Sequence, residues 1–146
     1  MTQTANADGP ASIVIQRRVE LTDTDASKVW HNSAALRFME AAQLALLARL
    51  GFVEDVFERH PPVRIEADFL RPLWFGELVD VELTVEAVGR TSVRYAWEFR
   101  RGDTVCAQGR TVAVLLDRIG GEPLEWSQEQ RDALLSGGPQ APERLS

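Results

Sequence analysis

Residues 33–50, SAALRFMEAAQLALLARL, contain neither glycine nor proline, are rich in alanine and leucine, and run directly into Gly51. These properties predict one long helix with a glycine stop, and Arg49 in its last turn suits the negative end of the helix dipole. Apolar residues occupy nearly every face. The polar exceptions Arg37, Glu40 and Gln43 recur every three residues and predict a single narrow solvent stripe. A helix this apolar has to be wrapped by other structure.

The flanking sequence supplies strands to do it. Upstream, IVIQRRVEL (13–21) alternates, with Ile13, Ile15, Val19 and Leu21 on one face. Downstream, VRIEADFLR (63–71), ELVDVELTVEAV (77–88) and SVRYAWEFR (92–100) alternate as well, and TVCAQGRTVAVLLD (104–117) is apolar on both faces, as an interior strand would be. Breaks at Arg71-Pro72 through Gly76, at Gly89-Arg90 and at Gly102-Asp103 predict short antiparallel connections. SQEQRDALL (127–135) reads as a short closing helix. Residues 1–11 and 137–146 are polar or rich in Gly, Pro and Ser and are expected to be flexible, which leaves one domain over 12–136. The class is α+β. One helix cannot cover both faces of a five-stranded antiparallel sheet, and such a sheet exposes edges, so a sheet curled around the helix and joined in a homodimer or homotetramer is expected.

Bulk composition narrows the function classes. With 146 residues and 45% hydrophobic content, the chain can build one domain with a real core. A formal charge of -6 without any basic run argues against a nucleic-acid partner, although Arg71, Arg90 and Arg94 remain available to meet a polyanionic ligand locally. The single cysteine, Cys106, lies in a strand-like run and excludes an intramolecular disulfide and a cysteine-rich metal site; it reads as a small buried side chain. The first residues lack the basic and apolar regions of a signal peptide, and no apolar run is long enough to span a membrane, so no membrane association and a cytoplasmic location are expected.

Chemistry concentrates in TDTDASKVWHN (22–32), a polar, aperiodic loop between the first strand and the helix. A helix N-terminus offers unpaired backbone N–H groups and a positive dipole end, which polarise a carbonyl oxygen. A carboxylate a few residues upstream then either attacks that carbonyl or activates water on it, a layout suited to acyl transfer. Other readings of the loop fail on its own residues. As a calcium loop, D-x-D-x-S would need glycine where Lys28 stands and a bidentate glutamate where Ala34 stands. A phosphatase D-x-D needs a parallel α/β sheet, which the strand pattern does not supply. Ordinary roles stand beside the chemical ones: Asp23 as a loop or capping residue, His31 as a helix cap, Glu40 as the ion-pair partner of Arg37, His60 as an exposed loop residue before Pro61-Pro62, and Trp74, Phe75, Tyr95 and Trp97 as core.

The segments LTDTDASKVWHNSAALRFMEAAQLALLARLGF (21–52) and ADFLRPLWFGELVDVELTVEAVGRTSVRYAWEF (67–99) resemble the 4-hydroxybenzoyl-CoA thioesterase family of hotdog proteins, a resemblance that covers roughly residues 12–117. It implies a hotdog fold, a five-stranded antiparallel sheet wrapped around one long central helix. It also implies hydrolysis of acyl thioesters of coenzyme A or an acyl carrier protein without a metal or redox cofactor. By position the family's aspartate falls on Asp25, as nucleophile or general base, with His31 as its catalytic helper. Trp30, Asn32 and Ser33 fall at the helix start where the thioester oxygen is held. Glu40 is a further substrate-side candidate, because another hotdog subgroup carries a carboxylate on this helix. Ser27-Lys28-Val29 departs from the family, which has two glycines and a further apolar residue here and a loop one residue longer. The alternatives are a hotdog hydratase or dehydratase, whose Asn-Pro between Asp and His is missing here, and a non-catalytic acyl-thioester binder.

Overall fold

The computed structural model describes residues 8–145. The long helix, α1, spans Asn32–Leu50. His31 caps its start by accepting the Ser33 N–H, and Gly51 ends it in the left-handed conformation at φ 91°, its N–H reaching the carbonyls of Leu47 and Ala48. The expected polar stripe is replaced by a different face. Gln43 is buried, and Leu36 and Leu44 share the solvent side with Arg37 and Glu40. Three residues fall short of a full turn of 3.6, so the third member of an i, i+3, i+6 row has rotated away from the first.

The five expected strands form one antiparallel sheet: β1 (Ser12–Arg18), β2 (Pro62–Phe69), β3 (Leu78–Val88), β4 (Ser92–Arg101) and β5 (Thr104–Val114), in the order β1-β3-β4-β5-β2. Val79, Val81, Leu83 and Val85 of β3 and Val93, Tyr95, Trp97 and Phe99 of β4 bury one face together with Ala34, Ala35, Phe38, Met39 and Leu46 of α1. Each large side chain so buried contributes about 1.5–3 kcal/mol relative to exposure. Between α1 and β2 lie a single turn of helix, α2 (Val53–Val56), and a 3-10 turn at Phe57–Arg59, both too short to leave a period in the sequence. The closing helix α3 spans Gln128–Ser136 and carries a capping box between Ser127 and Gln130. Among the described residues no helix is long and apolar enough to cross a membrane.

Three expectations are corrected. Trp74 and Phe75 sit on the turn after β2 rather than on a strand, and both are about half exposed. Of the N-terminal stretch 1–11, residues 1–7 lie outside the described residues. Residues 137–145, read from composition as a loose tail, instead run beside β1: Gln140 and Glu143 donate to the carbonyls of Ser12 and Val14, and Gln16 donates back to Glu143. Satisfying the free backbone groups of the β1 edge outweighs the low hydrophobicity of this segment. His60 is buried rather than exposed, its Nδ1 3.2 Å from the Val114 carbonyl and its Nε2 2.9 Å from the Tyr95 hydroxyl.

Gly109 of β5 lies opposite Trp97 in the sheet register. A Cβ there would stand 2.1 Å from the Glu66 carbonyl oxygen and 2.4 Å from the Trp97 ring, so the indole fills the space that the missing side chain leaves. Gly109→Ala is expected to cost about 1–3 kcal/mol by overpacking, read as a lowered urea midpoint; an unchanged midpoint would show that the ring is free to move. Burial lowers the His60 pKa to about 4 from an ordinary 6.5. The unfolded chain therefore takes up this proton first as pH falls. Stability from this group is complete above pH 6.5 and is lost as pH falls toward 4, by roughly 3 kcal/mol at the limit. Wild type is expected to lose more stability than His60→Gln between pH 7 and 4.5, and equal losses would contradict the assignment.

Candidate active site

The loop between β1 and α1 is held from both sides. Asp23 is buried; its Oδ1 accepts from Arg37 Nη2 at 2.7 Å and its Oδ2 from the Glu20 N–H at 2.8 Å, so one carboxylate ties the loop to the first turns of α1. Arg37 is thus committed to Asp23, and the expected pairing with Glu40 does not form. Asp23 also lies at the end of a 3-10 turn, Leu21–Asp23. On the other side, Trp30 N–H donates to the Leu73 carbonyl and Phe75 N–H to the Lys28 carbonyl, which pins the loop to the turn after β2. Lys28 has φ 67°, the left-handed conformation that glycine adopts without cost, at a point where the resembled family has glycines.

Asp25 stands exposed on this loop. Its Oδ1 accepts from both the N–H and the hydroxyl of Ser27, at 2.8 and 2.6 Å, and its own N–H donates to the Val29 carbonyl. The hydrogen bonds from the Ser27 side chain and backbone hold the carboxyl below its ordinary pKa, so it is ionised at neutral pH. His31 accepts the Ser33 N–H at Nδ1, 3.1 Å away, with the Ser33 hydroxyl at 3.0 Å. An Nδ1 that accepts leaves the ring proton of the neutral imidazole on Nε2. The Asn32 N–H, at the first position of α1, has no acceptor among the described residues.

A cavity of about 190 Å³ opens beside the helix start, lined by Val29, Trp30, Asn32, Phe69, Leu70, Arg71 and Pro72. Trp30 forms its wall, packed against Phe38, Phe69 and Phe99 with ring centroids 5.6–6.3 Å apart. The structure therefore gathers Trp30 and Asn32 in one cavity, with Asp25 bonded through its N–H to the neighbouring Val29. Ser33 is taken up by the His31 cap. Glu40 is eight residues along α1 from Asn32, about 12 Å, and lines a different cavity. Phe69, Leu70 and Pro72 were not among the sequence candidates, because Arg71-Pro72 carries only a strand-break signal. Of the arginines available for a polyanion, Arg90 and Arg94 are paired with Glu125 and Glu86, whereas Arg71 has no carboxylate partner among the described residues. Larger depressions on the outer sheet face are ringed by paired charges such as Glu86, which Arg110 and Arg94 hold below the usual carboxylate range.

Comparison with known proteins gives the family and the fold. Residues 19–134 match the family described as the thioesterase-like superfamily. A 1,4-dihydroxy-2-naphthoyl-CoA hydrolase of Prochlorococcus marinus is 31% identical over 66% of this chain and 72% of its own, and one of Synechococcus elongatus is 27% identical over 73% and 83%. A Thermus thermophilus thioesterase, solved with coenzyme A and zinc, superposes with TM-score 0.75 at 26% identity, over 87% of this chain and 94% of that one. Fold and matches together define the class as a hotdog-fold thioester hydrolase. The chain belongs to the thioesterase-like superfamily.

Asp23 and Asp25 are expected to separate cleanly in a stability test. Asp23→Ala leaves the Arg37 guanidinium and the Glu20 N–H without their acceptor and should lower stability by about 1–3 kcal/mol in urea unfolding. Asp25→Asn keeps an oxygen for Ser27 and should leave the midpoint where it is. The reverse order would mean that Asp25 is the structural member of the pair.

Proposed function

We propose that this protein hydrolyses coenzyme A thioesters of hydroxylated aromatic acids, in the cytoplasm, with Asp25 acting on a carbonyl held at the start of α1. The observation that carries the reading is the Asn32 N–H, without an acceptor among the described residues, at the positive end of a nineteen-residue helix and in an aromatic-walled cavity, with the ionised Asp25 on the same loop and bonded through its N–H to Val29 of the cavity wall. The thioester oxygen takes the Asn32 N–H as donor. Asp25 then adds to the carbonyl carbon or takes the proton of the water that adds to it; the C–S bond breaks, and the coenzyme leaves as the thiol. His31 donates from Nε2 to the oxygen or to the leaving sulfur. Trp30 and Phe69 contact the acyl ring, and Arg71 at the rim meets the phosphates of the carrier. The naphthoyl-CoA hydrolase relatives support an aromatic acyl group with hydroxyls.

The site is completed by a second copy. Among the described residues strand β2 is an edge with no strand on its outer side, and Ile65 and Phe69, opposite the buried Thr111 and Ala107 of β5, are exposed on the face that points toward the helix layer. Such an edge invites antiparallel pairing with itself. A register centred on Ile65 sets Arg64 opposite the partner's Glu66 and residue 61 opposite the partner's Phe69. Charge complementarity in the middle of the strand favours that register over a slip by one.

Thiol release should be followed for benzoyl, hydroxybenzoyl, phenylacetyl, short-chain and long-chain acyl-CoA and for one acyl carrier protein thioester. The expected result is turnover fastest on the aromatic CoA thioesters, with Asp25→Ala reducing kcat at least 100-fold. Loss of activity in Glu40→Ala but not in Asp25→Ala would assign the chemistry to Glu40 and contradict the proposal.

A further inference from the structure

Asp25 begins the tip of a small hairpin whose backbone closes without help from side chains. Its N–H donates to the Val29 carbonyl at 2.9 Å, the Lys28 N–H returns to the Asp25 carbonyl at 3.0 Å, and Thr24 and Trp30 form the bridge below. The base is anchored by the His31 N–H on the Asp23 carbonyl and the Trp30 N–H on the Leu73 carbonyl, both 2.7 Å. Ser27 is exposed on this tip, and its hydroxyl has one acceptor among the described residues, Asp25 Oδ1 at 2.6 Å. The Ser27 N–H reaches the same oxygen at 2.8 Å. Asp25 Oδ2 receives no hydrogen bond among the described residues. One carboxylate oxygen is therefore held twice and the other is left to act.

An aspartate that bonds the backbone two residues on orders a turn through the N–H alone. Here the backbone already fixes the loop, so the hydroxyl is left to act on the carboxylate. The terminal torsion of an exposed aspartate is broad, and a second donor on Oδ1 narrows it. We propose that Ser27 is a positioning residue, its hydroxyl locking Asp25 through Oδ1 so that Oδ2 is the oxygen that meets the water or the thioester carbonyl. This rests on the reading of Asp25 as the hydrolytic carboxylate, and adds which of its oxygens acts and what holds it. Ser27 belongs to the Ser27-Lys28-Val29 stretch in which this chain departs from the family it resembles.

The same two bonds, the side chain's first and the N–H second, favour the ionised carboxyl over the acid, and the charge of His31 adds a smaller effect of the same sign. The charged groups on the surrounding elements are engaged elsewhere: Arg37 with Asp23, Arg18 with the Gly76 carbonyl, Arg71 with the Leu70 carbonyl, and Glu77 with the Trp74 N–H and Arg101. Lys28, in the loop itself, is exposed, and Asp25 has no ion pair among the described residues. Removing the hydroxyl therefore returns Asp25 toward its ordinary, higher value. The acidic limb of kcat/KM, which reports the free enzyme's carboxyl, moves to higher pH with it.

The test compares wild type, Ser27→Ala and Ser27→Thr on the aromatic CoA thioester that wild type turns over fastest. Ser27→Ala is expected to lower kcat by roughly 3- to 10-fold, the worth of one hydrogen bond. It should leave KM in place, because Ser27 does not line the cavity, and shift the acidic limb of kcat/KM to higher pH. Ser27→Thr, which keeps a hydroxyl, should restore all three. A role in the loop alone would lower the urea midpoint of Ser27→Ala and leave kcat and the limb where they were; that result, or a threonine variant no better than alanine, overturns the proposal. Carbon-13 NMR of the Asp25 carboxyl, assigned by its loss in Asp25→Asn, titrates the same group without substrate, and its midpoint should rise in Ser27→Ala. A midpoint that does not rise counts against Ser27 alone. A midpoint that rises while Asp25→Ala keeps wild-type turnover, or while wild type hydrolyses no thioester, counts against the Asp25 reading and overturns the proposal with it.

Discussion

Burial of α1 is the constraint from which the rest of this structure follows. A helix with apolar residues on nearly every face has to be covered further round than one flat sheet can reach, so the sheet curls, and Trp97 folds over Gly109 where a side chain on β5 would hold the strands apart. The same demand leaves α1 open on the Leu36–Leu44 side and leaves β2 as an unpaired edge. Burial also aims the helix. Because its start is tied down by Asp23 and Arg37 rather than left to fray, the first free N–H is held beside the Trp30 wall.

That arrangement connects fold to chemistry with few parts. The 3-10 turn and the turn after β2 clamp the loop at the positive end of α1, and the loop carries an ionised carboxylate, Asp25, that accepts from the Ser27 N–H and hydroxyl. The two aspartates of the D-T-D motif differ in surroundings. Asp23 is buried in the ties that hold the loop, and Asp25 stays exposed.

The long elements were legible because each has a period that burial enforces. The alternation of β3 and β4 placed Val79 to Val85 and Val93 to Phe99 on the buried face, and the glycine after Leu50 marked the helix end. What stayed hidden depends on contacts between residues distant in sequence. His60 is separated by 35 positions from the tyrosine that gives it a partner, and Gln43 looks like surface until the drift of a three-residue spacing carries it under the sheet. The tail after Gly137 has a loop's composition but a strand edge to satisfy. In the candidate site, Trp30 and Asn32 lie on the loop and helix start that the D-T-D-A motif singles out. The far wall, Phe69 to Pro72, could not, since nothing local relates it to the helix start.

The claim at the centre of this account is that the thioester carbonyl sits at the first turn of α1. A crystal structure with a non-hydrolysable thioether or amide analogue of hydroxybenzoyl-CoA addresses it directly. The account requires the carbonyl-equivalent oxygen about 3 Å from the Asn32 N–H, with the Asp25 carboxylate on the open face of the carbonyl carbon. An analogue bound with that oxygen turned away from α1, or lodged on the outer face of the sheet among Arg64, Arg94 and Arg110, would contradict it.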